Sequence, residues 1–178
     1  MSVGDRLRLF CGLRLPGPAL DVLEAWQGEQ LRVGRPVPRG NLHVTLAFLG
    51  SRPAENVHPV AVELAAAAGA ADEIRLRPVR YRETRSVGMV VFEDLTGAGA
   101  ALAADLGRRL ERLGLYSPEH RPWLPHVTVL RFQGRPRLAP PPPALGEVSP
   151  SDAAVYSSVL RPGGAHYEAL ETAALGGR

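Results

Sequence analysis

The tripeptide His-Val-Thr occurs twice in this chain, at His43-Val44-Thr45 and, 83 positions later, at His126-Val127-Thr128. After Asn41 the flanks are apolar: Leu42, Leu46, Ala47 and Phe48 around the first copy, Leu124, Pro125, Val129 and Leu130 around the second. Short apolar, β-branched runs of this kind favour strands. In a strand, side chains two residues apart share a face, so His43 and Thr45 project together and Val44 and Leu46 take the opposite, core-facing side. His126 and Thr128 repeat the pattern, backed by Val127 and Val129. One such strand per half points to a pseudo-duplicated fold with a polar face on each motif strand.

The rest of the chain fits that constraint. Residues 6–13 read as a first strand, broken by Pro16 and Pro18. Residues 19–31 read as an amphipathic helix with Leu20, Leu23, Trp26 and Leu31 inward. A loop over 33–40 leads into the first motif strand, 41–49, which Gly50 to Pro53 ends. The spacing predicts a helix over 56–70 with Val57, Val60, Ala61 and Leu64 on one face and Pro59 tolerated in its first turn. Two strands follow, 74–83 and 87–92. A helix over 98–113 then places Leu102, Leu106, Leu110 and Leu113 at helical spacing, and its charged residues read as a solvated face. The second motif strand is 126–132. Residues 134–143 read as a rigid proline-rich crossover. Strands 153–160 and 166–173 close the chain as a hairpin around Arg161-Pro162-Gly163-Gly164. The class expected is α+β, one bilobal domain over 1–178 with one His-x-Thr motif per lobe. A length of 178 residues suits one compact domain or two lobes on a shared core.

Composition narrows the setting. Apolar residues make up 45% and charged residues 22%, ordinary for a soluble protein, and no run of ~18 apolar residues suggests a membrane span. Arg6, Arg8 and Arg14 interrupt the apolar start, which reads as a strand rather than a signal peptide. Cys11 is the lone cysteine, and its strand-like setting makes it a buried, inert thiol. Both features point to the cytoplasm. Every basic residue is Arg, and the formal charge is +3. The Arg bias fits a GC-rich genome, yet guanidinium groups match phosphate geometry, so a phosphate-bearing partner is permitted.

The paired motifs suggest a chemistry. An imidazole titrates near neutrality, so two of them can divide labour as base and acid. A hydroxyl beside each can hydrogen-bond a phosphoryl oxygen without adding charge. If the two strands meet, the imidazoles flank one phosphorus in an arrangement suited to in-line displacement. A single His-x-Thr carries no weight, because histidines often sit in strands as satisfied polar residues. Two copies on apolar-backed strands, one per half, are far more specific. Zinc is a poorer reading: neither strand carries a nearby His or carboxylate at ligand spacing. The Gly-x-Ser-x-Gly elbow of many serine hydrolases is missing as well.

At these residues the chain resembles the 2H phosphoesterase superfamily, whose hallmark is two His-x-Thr/Ser motifs. Within it, the chain is most similar to the bacterial RNA 2′,3′-cyclic phosphodiesterases, also called 2′-5′ RNA ligases. Arg8-Leu9-Phe10, the run from Asn41 to Gly50, the run from Pro125 to Arg131, and the runs Tyr156 to Leu160 and Gly164 to Glu168 near the end carry the likeness, which spans nearly the whole chain. The resemblance implies two pseudo-symmetric antiparallel sheets lining a cleft, with helices outside. It implies that His43 donates a proton to the leaving 3′-oxygen and that His126 accepts one from water. Thr45 and Thr128 would hold the phosphate, leaving a 2′-phosphate product, and some members join ends through a 2′-5′ linkage. With two histidines and no ligand cluster beside them, no metal and no cofactor are expected. The partner would be an RNA ending in a 2′,3′-cyclic phosphate, met by a monomer away from any membrane.

Three further positions are open at this level. Arg131 corresponds to a residue that can approach the phosphate in this family, but it lies five positions beyond His126, and strand parity turns it away unless the strand bulges. Phe48 has the same offset from His43 and reads better as core than as a base-stacking ring. Trp123 is a candidate to line the cleft. His58, His120 and His166 match no motif and read as surface residues. Two rival functions remain: a small cyclic-nucleotide or ADP-ribose cyclic phosphodiesterase, and a non-catalytic RNA-binding module on the same fold.

Overall fold

The computed structural model describes residues 4–176; the first three and last two residues of the 1–178 span lie outside the described residues. In chain order the elements are β1 (Arg6–Arg14), α1 (Gly17–Gln30), β2 (Arg35–Pro36), β3 (His43–Pro53), α2 (Val57–Gly69), β4 (Leu76–Glu83) and β5 (Val87–Asp94), then α3 (Ala98–Arg112), β6 (His126–Arg131), β7 (Asp152–Arg161) and β8 (Gly164–Ala174). The loop expected over 33–40 contains the short β2, and a 3-10 turn at Arg39–Asn41 leads into the first motif strand. Proline at the start of α1 removes an N–H that has no helical partner there. Asp94 accepts from the backbone N–H groups of Gly97 (3.1 Å) and Ala100 (2.8 Å), which orders the entry to α3. Leu102, Leu106 and Leu110 are buried on one stripe of that helix. Leu113, expected inward, is 41% exposed because the helix ends at Arg112 and the chain turns away.

All strand pairs are antiparallel, in the order β4-β5-β6-β3-β1-β7-β8, with β2 also on β6. The class is α+β, as expected. The lobes are β3-β1-β7-β8 and β4-β5-β6-β2, and they join at one pair, Val44 opposite Val127. The two expected sheets thus run into one another at the motif strands. The helices cover one face of the sheet. α2 packs on β7 and β8, α3 on β3 and β5, and the buried Gln27 of α1 donates to the carbonyls of Val37 (3.0 Å) and Val129 (2.8 Å). Between helices and sheet lies a continuous core that includes Leu9, Leu13, Val44, Val90, Val127 and Val129. Cys11 is in it, and burial pushes its thiol pKa up to about 12, so it is inert.

Strand β3 continues past Gly50 to Pro53, two residues of it bulging out of register with β1 on the way. Leu46 has no partner between the pairs Gly12–Thr45 and Cys11–Ala47, and Leu49 none between Phe10–Phe48 and Leu9–Gly50. In β6, Val129 is likewise extra between the pairs Met89–Thr128 and Gly88–Leu130. Leu46 and Val129 each lie three positions after a motif histidine, so the pseudo-repeat extends to the bulges.

The 134–143 segment forms no helix or strand and is tied down at both ends. Trp26 Nε1 donates to Pro141 O (2.9 Å). The buried carboxylate of Glu83 accepts from Tyr81 Oη (3.0 Å), Arg135 Nε (3.3 Å) and the N–H groups of Arg137 (2.9 Å) and Leu138 (2.8 Å). The closing hairpin turns where expected, Arg161 pairing with Gly164. No described helix is long and apolar enough to cross a membrane.

Candidate active site

Val44 and Val127 each follow a motif histidine by one residue, and they face each other across the β3–β6 seam. Carrying the antiparallel register one step each way sets His43 opposite Thr128 and Thr45 opposite His126. The local two-fold axis therefore runs between the two valines. Both valines are fully buried in the core, so the four motif side chains take the helix-free face.

Each imidazole is oriented by the backbone two residues before it. His43 Nδ1 lies 2.8 Å from Asn41 O, and His126 Nδ1 lies 2.8 Å from Leu124 O. A carbonyl can only accept, so both Nδ1 atoms carry a proton and both Nε2 atoms are left for chemistry. His43 Nε2 lies 2.9 Å from Thr45 Oγ1. With the ring neutral, Thr45 donates to Nε2; with the ring protonated, Thr45 accepts, and its own proton is free for a phosphoryl oxygen.

The two histidines are not equivalent. His43 is boxed by aromatic rings, with centroids at 4.8 Å (Phe10), 5.5 Å (Tyr167) and 5.6 Å (Tyr156). Phe10 and Tyr156 stack at 4.9 Å, and with Ala154 they form an apolar cluster separate from the main core. Gly12 makes room for the ring: a Cβ there would stand 3.1 Å from His43 Cδ2 and 3.1 Å from Val44 O. Burial drives the His43 pKa down to about 4, reinforced by the positive charges of His126 and Arg131 and opposed by the Asn41 carbonyl.

Arg131 reaches this face, against the parity expectation. The unpaired Val129 adds one residue to β6, which returns Arg131 to the side of His126 and Thr128. Its Nη2 donates to Tyr167 Oη (3.1 Å), joining the second lobe to the aromatic box of the first. Phe48 follows the same rule through Leu46. Expected as core, it is 50% exposed, with Arg8 Cζ 5.0 Å above its ring. Trp123 packs over α3 at Gly99 and against the core, and its indole donates to Thr45 O (3.0 Å), bracing the first motif strand. His58, His120 and His166 are exposed. Among the described residues, no three His, Cys, Asp or Glu side chains converge so as to hold a metal ion.

Sequence reasoning missed the supports of His43. Phe10, Tyr156 and Tyr167 entered only within the runs that carry the family likeness and Gly12 not at all, because the four come from three strands. Asn41 was read only as part of a motif. Its Nδ2 donates to Ala165 O (2.8 Å) and its Oδ1 accepts from Tyr167 N (3.1 Å), so it clamps the closing hairpin beside the histidine.

Comparison with known proteins places the fold and the family. The family model of the 2′-5′ RNA ligase superfamily matches residues 16–157. The RNA 2′,3′-cyclic phosphodiesterase of Escherichia coli (strain K12) is 28% identical over 171 residues, 94% of this chain and 96% of that protein. The Thermus thermophilus protein of the same name is 30% identical, over 96% of this chain and 91% of its own length. The crystal structure of E. coli LigT complexed with 3′-AMP superposes with a TM-score of 0.81 at 26% identity, covering 96% of this chain and 99% of that one. Fold and paired motifs mark a two-lobed phosphoesterase of the 2H type. The chain belongs to the 2′-5′ RNA ligase superfamily.

Proposed function

We propose that this chain hydrolyses the 2′,3′-cyclic phosphate at an RNA end by acid–base catalysis between His43 and His126, leaving a 2′-phosphate. The observation that carries the reading is the seam at Val44 and Val127, which sets two imidazoles and two hydroxyls around one axis with both Nε2 atoms available. The activity is also that named for the two curated relatives.

In the reaction, water attacks phosphorus as His126 Nε2 takes its proton. The new P–O bond forms in line with the P–O3′ bond that breaks, and His43 Nε2 delivers its proton to the departing 3′-oxygen. Thr45, Thr128 and Arg131 hold the non-bridging oxygens. With a 5′-hydroxyl end in place of water as the nucleophile, a P–O5′ bond forms as the P–O3′ bond breaks, and the same steps join RNA through a 2′-5′ linkage. The donor role requires His43 to gain a proton that burial in the protein alone disfavours. The negative charge of the cyclic phosphate supplies the missing counter-charge, so substrate binding and protonation of His43 are coupled. Both motifs come from one chain, which suits a monomer, and a single buried thiol suits a cytoplasmic enzyme.

The test is turnover of an oligoribonucleotide ending in a 2′,3′-cyclic phosphate, with the product compared to 2′- and 3′-phosphate standards. A 2′-phosphate product is expected. A 3′-phosphate would reverse the donor and acceptor assignments, and no turnover would favour a binding module.

A further inference from the structure

We propose that Arg80 and Arg82 on β4 form a phosphate track that grips the RNA strand upstream of its reacting end, an inference that rests on the RNA-end reading above. The sheet register places them. Arg80 pairs with Val91, which pairs with His126; Arg82 pairs with Met89, which pairs with Thr128. Two rows thus run straight across the sheet from the second motif to two arginines, each spanning two strand spacings, ~10 Å.

The side of the sheet is fixed by their neighbours. Val79 is an unpaired extra residue in β4, so Tyr81 lies on the core side, against Trp26 and Glu83. Gly88 leaves the space that the Tyr81 ring occupies, since a Cβ there would collide with its hydroxyl. Arg80 and Arg82, flanking Tyr81, therefore take the opposite, helix-free face. Met89 and Val91 lie between the motif and the arginines but are buried, so the accessible part of that face is the guanidinium pair itself.

Charge singles out the same pair. Arg77, on the same face, is neutralised by Glu93 at 2.6 Å. Arg80 and Arg82 are exposed, and among the described residues neither has a carboxylate partner. Charged side chains on an edge strand commonly guard against edge-to-edge pairing. That duty does not require them in register with His126 and Thr128, on the face that also carries Arg131. A positively charged track follows the backbone of a single RNA strand, and Arg binds phosphate in a bidentate way. With the terminal phosphate at the histidines, a strand leaving along these two rows brings its preceding phosphates to Arg82 and Arg80.

The experiment compares an oligonucleotide with a mononucleoside 2′,3′-cyclic phosphate, which has no upstream phosphate. For Arg80→Gln/Arg82→Gln, kcat/KM on the oligonucleotide should fall on the order of tenfold at low salt, against less than about twofold on the mononucleoside. Binding of a 2′-phosphate-ended oligonucleotide, followed by fluorescence anisotropy against salt, should lose roughly 0.7 of log–log slope per phosphate contact removed. Equal losses on both substrates would overturn the track in favour of a structural role. Unchanged turnover and salt slope would overturn it in favour of another path. Should the wild-type protein turn over neither substrate, the phosphodiesterase reading falls, and the salt slope alone still decides whether these arginines hold RNA.

Discussion

At His43, the wall of Phe10, Tyr156 and Tyr167 that fixes the ring also strips it of water, and this desolvation is what lowers its pKa to about 4. The unfolded imidazole keeps its ordinary value of 6.5. Between those values the unfolded chain binds a proton that the folded chain refuses. The contribution is therefore intact above pH 6.5 and drains away as pH falls towards 4. The shift corresponds to roughly 3 kcal/mol at its low-pH limit. Urea midpoints of wild type and His43→Gln at neutral and mildly acidic pH measure it: the variant should lose less stability on acidification. Equal losses would show that the ring is not desolvated in solution. As catalysts, His43 and His126 should each cost on the order of 10²–10⁴-fold in turnover when changed to alanine. Circular dichroism should show both variants folded, since neither ring is in the main core cluster. Near-normal turnover in either variant would remove that residue from the mechanism.

At the scale of the strand, the consequential event is the bulge. One residue without a partner, Val129, moves Arg131 from the core side to the face of the motif, and Leu46 does the same for Phe48. Both bulges lie at the same offset from a motif histidine, yet they deliver a cation on one strand and an aromatic ring on the other. The cation that joins the motif face therefore comes from the His126 side. Arg131→Met keeps much of the side-chain volume and removes the charge and the bond to Tyr167. Turnover should fall on the order of tenfold to a hundredfold, in line with losing a charge-assisted hydrogen bond to the phosphate. Steady-state kinetics on a mononucleoside cyclic phosphate check this, and an unchanged kcat/KM would place Arg131 in a purely structural contact.

At the scale of the molecule, two lobes meet at one strand pair and place their polar motif faces on the same helix-free side of the sheet. All groups assigned to the reaction are imidazole, hydroxyl and guanidinium, and among the described residues none belongs to a cluster of metal-ligating type. Two-histidine chemistry of this kind needs no Lewis acid. Exhaustive treatment with a chelator should leave the rate on a cyclic-phosphate oligonucleotide nearly unchanged. Activity lost to the chelator and restored by zinc or manganese would replace acid–base catalysis with a metal mechanism.

Much of this architecture was legible in local pattern. Alternation with period two marked the motif strands and put His43 with Thr45 and His126 with Thr128, because side-chain direction along a strand depends only on the neighbouring residues. Helical spacing likewise marked α3 through Leu102, Leu106 and Leu110, and failed only at Leu113, where the helix had ended. The face taken by Arg131 and Phe48 was not legible, because a bulge exists only relative to a partner strand, and β1 and β5 supply the registers that create these two. The acidity of His43 was not legible either. Its desolvation comes from Phe10, 33 positions before it, and from Tyr156 and Tyr167, more than a hundred positions after it. A short repeat can name the reacting groups by itself, but the dielectric around them is set by residues that only folding brings together.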